Sequence, residues 1–400
     1  MSKRNLIWMI LAMTFVTASM RPSNTSIPPL LVTIRDDLGM SSTALSLLAV
    51  IPILCIGLTS TFAARIGRRW GAERAIGLSL LLIGAGTAMR FAANSSLFLL
   101  LTAVVAGIGT SVASPLFSSF IKRNFPGHTA ILTGIYTLGV GIGASMGSGL
   151  TIPLQQAFHG SWSTGLGIWF LFPLATFVIW LPIFRRKPVA SAPDASAASL
   201  VKLPVKNKTA WLLTFLYGLQ ACIHFIVATW LAPIAQESGF SDYIAGIMLT
   251  VYIGLQTLCG FGIAIFVQRS PSRAPWLIGS SAVMLIGVLP LILLPPAYGP
   301  WMSAVMLGVG SGGLFSLSLL MPLDHTKSAL ESGAWMSMIQ LFGSLISGLG
   351  PMLIGALRDV SGNYRSSYVA LLIMCGLLLW VSLKIRKGLI QPGATRGGEA

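Results

Sequence analysis

Residues 103–116 read AVVAGIGTSVASPL, and residues 304–317 read AVMLGVGSGGLFSL. Gly107, Gly109 and Thr110 of the first match Gly308, Gly310 and Ser311 of the second at a constant offset of 201 residues. Both stretches sit inside continuous apolar runs with no strand-like alternation, which favours helices. The same glycine-bearing helix is therefore written twice, half a chain apart. A glycine-rich run follows each copy, at 129–152 and 331–357.

Working outward, the composition explains what such helices are for. The 400 residues are 54% hydrophobic and 9% charged, with a mean hydropathy of +0.81. Soluble chains are about a quarter charged. Crossing a hydrocarbon layer about 30 Å thick takes about 20 apolar residues, and only helices or closed barrels satisfy the backbone there. Apolar windows fall at 6–33, 43–64, 75–93, 97–120, 129–152, 164–184, 209–232, 243–267, 275–296, 300–322, 331–357 and 366–384. The expectation is an all-α polytopic membrane protein of twelve transmembrane helices in two six-helix halves. The longest polar stretch, 185–208, lies between the sixth and seventh windows. It divides the chain into an N-terminal half (1–184), a linker and a C-terminal half (209–400). In transporters built from parallel repeats, substrate binds at the midplane between the halves.

The formal net charge of +16 suggests nucleic acid only until position is considered. Placed on alternate sides of twelve spans, nearly all Lys and Arg residues share one side. Only Arg21, Arg35, Arg90, Arg358 and Arg365 fall on the other. The positive-inside rule then sets both termini in the cytoplasm and the 185–208 linker with them. The first window reads as an uncleaved first helix, because no small-x-small site follows it. Cys55, Cys222, Cys259 and Cys375 all lie in apolar runs without metal or CxxC spacing, so they read as buried thiols. No cofactor, metal or nucleic-acid partner is expected; the partners are lipid and a small solute, and the protein is expected to be monomeric.

The chemistry concentrates in residues 20–31, MRPSNTSIPPLL. Arg21 falls about 20 Å along the first span, past its middle. An arginine there costs about 2.5–3.5 kcal/mol on insertion scales. None of the ten acidic residues falls at mid-depth. Arg21 is thus neutralised by a substrate anion, solvated by carbonyls and amides, or drawn to the surface. Pro22, Pro28 and Pro29 break regular hydrogen bonding and free carbonyls, an irregularity tolerated only where protein or a cavity covers it. At similar depth lie Asn24, Thr110, Tyr136, Gln220, His224, Gln256, Ser311 and Gln340. The candidate binding set is Arg21, Asn24, Tyr136, Gln220, His224, Gln256 and Gln340. His224 reads either as a proton carrier or as a packed neutral imidazole. Trp230 reads as an interface anchor or a gate. Arg90, near the outer end of the third span, either attracts anions or pairs with Asp36 or Asp37. Gly139, Gly143 and Gly147, at four-residue spacing, make a smooth face for packing or for a hinge.

Residues 60–75, STFAARIGRRWGAERA, resemble the signature loop of the major facilitator superfamily, G-x-L-A-D-R-x-G-R-R. Arg65, Gly67, Arg68 and Arg69 match; Ser60 replaces the first glycine and Ala64 the aspartate. In the family this loop latches the cytoplasmic side through charge contacts. With Ala64, the resemblance implies another acid, Glu73 or Asp324. A narrower resemblance, to the branch of cyanate and 2-nitroimidazole transporters, rests on MRPSNTSIPPLL, RRWGAER, Arg90 in GTAMR, IKRNFP, LTGIYTLGVGIGASMGS, WLAP, PLDH and SGNY. His224 stands where related sequences often carry an aromatic. Ala103 occupies the place of an arginine in span four, and span five lacks a proline among its glycines. Both departures disfavour proton antiport of drugs.

The expectation is a multi-pass permease of a bacterial inner membrane, not an enzyme. It moves a small anion or small polar organic solute, cyanate-like, by alternating access. The alternative is an exporter of nitroheterocyclic or other toxic compounds, with proton coupling open. No GxxxxGK[ST] sequence is present to bind a nucleotide.

Overall fold

The structure, a computed structural model, describes residues 3–125, 128–158, 160–185, 203–270, 272–326 and 329–389. All regular structure among them is helical. The N-terminal elements are α1 (Lys3–Ser19), α2 (Pro22–Thr25), α3 (Leu31–Leu38), α4 (Ser42–Trp70), α5 (Ala72–Ala88), α6 (Ser96–Asn124), α7 (Thr129–Ala157), α8 (Trp162–Gly167) and α9 (Leu171–Phe184). After them come α10 (Lys208–Glu237), α11 (Asp242–Gln268), α12 (Ala274–Leu293), α13 (Gly299–Asp324), α14 (Ala329–Ser361) and α15 (Arg365–Leu389). Among the described residues, ten helices are long and apolar enough to cross a membrane, one for each window from the third to the twelfth. The first window is a broken helix running through α1, α2, a 3-10 turn at Pro28–Leu30 and α3. The second is α4, apolar over Ser42–Ile56. Most of the 185–208 linker, residues 186–202, lies outside the described residues.

The repeat read from the sequence extends into the packing. A Cβ placed on Gly109 would meet the Ser79 carbonyl at 2.9 Å, and one on Gly310 would meet the Ser280 carbonyl at 2.9 Å. A Cβ on Gly86 would meet the Ala106 nitrogen at 2.6 Å, and one on Gly287 the Leu307 nitrogen at 3.2 Å. Every residue in these contacts has its counterpart 201 positions away. Glycine is required because the neighbouring backbone approaches to where a side chain would begin. α5 therefore lies on α6 as α12 lies on α13. Apolar cores follow the same division: one cluster spans residues 210–385 with Ala144, two others span 9–183 and 27–166. Between the halves, α4 packs on α14 and α7 on α11.

One expected boundary moves. Residues 65–70 are not a loop but the last turns of α4. The helix stops at Gly71, whose φ of 83° most side chains would resist.

Candidate functional site

The site begins with the break in the first span. Pro22 has no N–H to give the Ala18 carbonyl. That carbonyl lies against Gly143, where a side chain would overlap it. Pro28 and Pro29 interrupt the next turn, and the Ile27 N–H bonds the Asn24 carbonyl at 3.4 Å instead of reaching Ser23. Two carbonyls of this segment accept bonds from other helices. Ser23 O accepts from Arg90 Nη1 at 2.5 Å, and Pro29 O accepts from Gln236 Nε2 at 2.7 Å.

Arg21 takes neither. It stands at the N-terminal boundary of α2, partly exposed; its carbonyl accepts from Asn24 and Thr25, but its guanidinium forms no hydrogen bond or ion pair with any described residue. Its guanidinium acts electrostatically on Tyr217 and His224 of α10. Acids that could neutralise it are committed elsewhere. Asp36 pairs with Arg35 at 3.0 Å and Glu237 with Arg358 at 2.9 Å. Asp37 accepts from Trp162 Nε1 at 2.6 Å, and Asp359 accepts from Ser42 and Thr43.

Facing Arg21 from the C-terminal half is a hydrogen-bonded cluster centred on Ser311 of α13. Gln256 Nε2 donates to Ser311 Oγ at 3.1 Å and to His224 Nδ1 at 2.9 Å. Gln220 Nε2 points at the Ser311 carbonyl and hydroxyl, each at 3.4 Å. Tyr252 lays its hydroxyl 2.9 Å from His224 Nδ1 and stacks on that ring at 5.9 Å. Three expected residues, Gln220, His224 and Gln256, are thus brought together on two helices. With the Gln256 amide as placed, Nδ1 accepts, which suits a neutral imidazole with its proton on Nε2. Buried Gln220 Oε1 and Asn24 Oδ1 have no partner among the described residues.

Other expected residues stand apart. Tyr136 stacks on Phe117 at 5.7 Å inside an N-terminal core cluster. Gln340 is exposed, and its side chain bonds no described residue. Thr110 returns its hydroxyl to Ala106 O on its own helix, although its repeat counterpart Ser311 is the hub of the cluster. Tyr252 and Tyr217 were not anticipated. The signal was present: Tyr252 precedes Gln256 by four residues and Tyr217 precedes Gln220 by three, the spacings that share a helix face.

The glycines of α7 form two faces. Gly139, Gly143 and Gly147 take Thr17, Ala18 and Pro22 of the broken span, so this stripe is the bed on which the segment around Arg21 rests. Gly141 and Gly149 face Thr257 and Thr250 of α11 across the halves. Between them, Thr250 Oγ1 lies 2.8 Å from Ser148 Oγ.

Several expectations about gates and charges need correction. Arg90 does not pair with Asp36 or Asp37. It is wholly buried, with Nε 3.4 Å from Thr102 Oγ1 and Nη1 on Ser23 O. Trp230 is neither an interface anchor nor a free gate: it is buried and donates Nε1 to Pro351 O at 3.0 Å. Glu73 and Asp324 bond neither Arg65 nor Arg69 among the described residues. Glu73 pairs with Arg123, and Asp324 with Arg273 at 2.9 Å, each within its own half. The two pairs occupy corresponding places, at the α5–α6 and α12–α13 ends, with acid and base exchanged. Arg65 lies over the Phe62 ring at 5.7 Å, Gly67 packs on Leu116, and Arg69 is exposed. The Arg68 side chain lies outside the described residues.

The hydrogen bonds between halves also have a side. Let the face where α1 starts be the terminal face. Toward the opposite, far face, hydrogen bonds join the halves: Ser42 and Thr43 to Asp359, Gln236 to Pro29, and Thr250 to Ser148 and Ser145.

Comparison with known proteins follows this geometry. Residues 8–332 match the family model described as Major Facilitator Superfamily. The chain is 29% identical over 378 residues to the 2-nitroimidazole transporter of Escherichia coli (strain K12), covering 94% of this chain and 95% of that protein. It is 29% identical over 356 residues to the cyanate transport protein CynX of the same strain, covering 89% and 91%. Among solved structures, a bacterial homolog of the human lysosomal transporter Spinster, in an inward-facing and occupied conformation, superposes with a TM-score of 0.77 at 17% identity, covering 99% of this chain and all of that one.

Proposed function

The chain belongs to the Major Facilitator Superfamily, and from that premise we propose that it carries a small anion, or a small polar solute with an anionic group, by alternating access. The observation that carries this reading is Arg21: a guanidinium at the broken first span, with no carboxylate or carbonyl bonded to it among the described residues. In a low-dielectric interior such a charge demands a partner. A solute anion supplies it during transport and leaves with it.

The solute sits between Arg21 and Asn24 on one side and Gln220, His224 and Gln256 on the other. Its negative group faces the guanidinium. Because the two sides belong to different halves, closure on either face rocks them about the solute. The halves are bonded on the far face here, which closes that face in this conformation. By the distribution of Lys and Arg, the opposite, terminal face is the cytoplasm of a bacterial inner membrane.

Two E. coli relatives are named for 2-nitroimidazole and for cyanate. Cyanate is a small linear anion, and a nitroazole presents polarised oxygens and an acidic ring N–H. Both suit one cation ringed by amides. The first relative's name also favours the second reading, movement of nitroheterocycles.

Proteoliposome counterflow with labelled cyanate and labelled 2-nitroimidazole tests the proposal. Wild type should exchange at least one of them, and Arg21→Ala protein, inserted at the same level, should exchange neither. Equal exchange by wild type and Arg21→Ala would defeat it.

A further inference from the structure

Arg90 was expected near a membrane surface and is instead fully enclosed, with no carboxylate beside it among the described residues. It donates to the Ser23 carbonyl at 2.5 Å, two residues beyond Arg21, and its Nε lies 3.4 Å from Thr102 Oγ1. Its Nη2 has no partner among the described residues, and neither do the buried hydroxyls of Ser23 and Ser26 on the same segment. Enclosing a cation without a counter-charge is costly, and a neutral donor would suffice to cap one carbonyl. A charge at this point therefore does more than brace.

We propose that Arg90 is the second cation of the Arg21 site: it positions the broken segment through the Ser23 carbonyl, and its buried charge adds to the field that selects an anionic solute. The proposal rests on the reading of Arg21 as an anion site. Arg21 meets the solute directly; Arg90 acts through the segment and through space. Two residues of short helix separate the atoms they govern, so the charges flank one place rather than two. α7 holds that place from behind, with Gly143 and Gly147 against Ala18 and Pro22. The segment thus cannot retreat from Arg90 without displacing Arg21.

Thr102 offers a way to cancel the charge while leaving Arg90 in place. Thr102→Asp sets a carboxylate beside Nε, and Thr102→Asn sets a group of the same shape without charge. Purified full-length protein is titrated with cyanate, nitrite and acetate, and both anion affinity and unliganded thermal midpoint are read. Thr102→Asp should weaken binding of the tightest anion about tenfold relative to Thr102→Asn. That is the effect of a unit charge roughly 10 Å from an anion at an effective dielectric constant near 20. Its thermal midpoint should be equal to or higher than that of Thr102→Asn, because the buried guanidinium gains a partner. Affinity and stability moving in opposite directions is what a purely structural role cannot produce.

Arg90→Lys, which keeps the charge, should bind within about threefold of wild type, and Arg90→Gln should follow Thr102→Asp. If Thr102→Asp does not accumulate, the Lys and Gln variants decide by the same criterion. Equal affinities in Thr102→Asp and Thr102→Asn, or equal losses in Arg90→Lys and Arg90→Gln, overturn the inference. Those results, with Arg21→Ala still unable to bind, leave the Arg21 reading standing. Wild-type affinity in Arg21→Ala overturns both.

Discussion

Ser42 donates its backbone N–H to an Asp359 carboxylate oxygen at 2.7 Å, and the two residues belong to opposite halves of the chain. Asp359 also accepts the Thr43 N–H at 2.9 Å and its hydroxyl at 2.7 Å. The first free N–H groups of α4, which want an acceptor, are thus capped by the end of α14.

That cap should hold the far face shut. Asp359→Ala removes an interaction worth about 1–2 kcal/mol, enough to shift an open–closed equilibrium several-fold. In a background without native cysteines, a cysteine at position 50, on α4 near Gly348, should react faster with a membrane-impermeant reagent when Asp359 is Ala. An unchanged rate would remove Asp359 from the gate.

The bed beneath Arg21 should be intolerant of even one methyl. A Cβ on Gly147 would press on Thr25 Oγ1 and meet Pro22 Cα at 2.9 Å, while one on Gly254 of α11 meets nothing within 4 Å. Gly147→Ala should cost about 1–3 kcal/mol and lower the thermal midpoint. Gly254→Ala should be neutral or slightly stabilising. Differential scanning fluorimetry of both variants checks the contrast, and a similar fall in both would contradict it.

The exchanged ion pairs predict an exchange. Glu73 is buried and Arg123 partly so, whereas Arg273 and Asp324 are both partly exposed. Glu73→Gln should therefore destabilise by about 3–5 kcal/mol, and Asp324→Asn by less than about 1 kcal/mol. Glu73→Arg with Arg123→Glu reproduces the polarity of the other half and should recover most of the loss. Chemical-denaturation midpoints measure each step; a double variant no better than Glu73→Gln would show that polarity is not interchangeable.

His224 should behave as a packed base. Its Nδ1 is met by the Gln256 amide at 2.9 Å and the Tyr252 hydroxyl at 2.9 Å, and among the described residues no carboxylate is bonded to it. Transport by His224→Gln should be weaker but keep the wild-type pH profile between about pH 6 and 7. A flattened profile would instead make His224 the proton carrier.

The sequence made the helices, the repeat and the break legible, because each depends on local chemistry. Glycines at matched offsets mark close packing, and three prolines in residues 20–31 forbid a continuous helix. The scarcity of acids made the isolation of Arg21 legible too. What stayed hidden depends on contacts between distant segments. Arg90 was placed by counting residues from a span end, and its depth is set by the Ser23 carbonyl, 67 positions away. Trp230 was read as an interface anchor or a gate from its place near a span end, yet its N–H finds Pro351, 121 positions on. Glu73 and Asp324 were named as acids for residues 65–69 because Ala64 stands where the resemblance has an aspartate, while packing of neighbouring helices brought them to Arg123 and Arg273.

The most direct measurement is calorimetric titration of wild-type, Arg21→Lys and Arg21→Ala protein with the small anion that wild type binds most tightly. The account predicts weakened binding in Arg21→Lys, which keeps the charge but loses the guanidinium fork, and none in Arg21→Ala, with all three proteins folded. Binding by Arg21→Ala at wild-type affinity would contradict it.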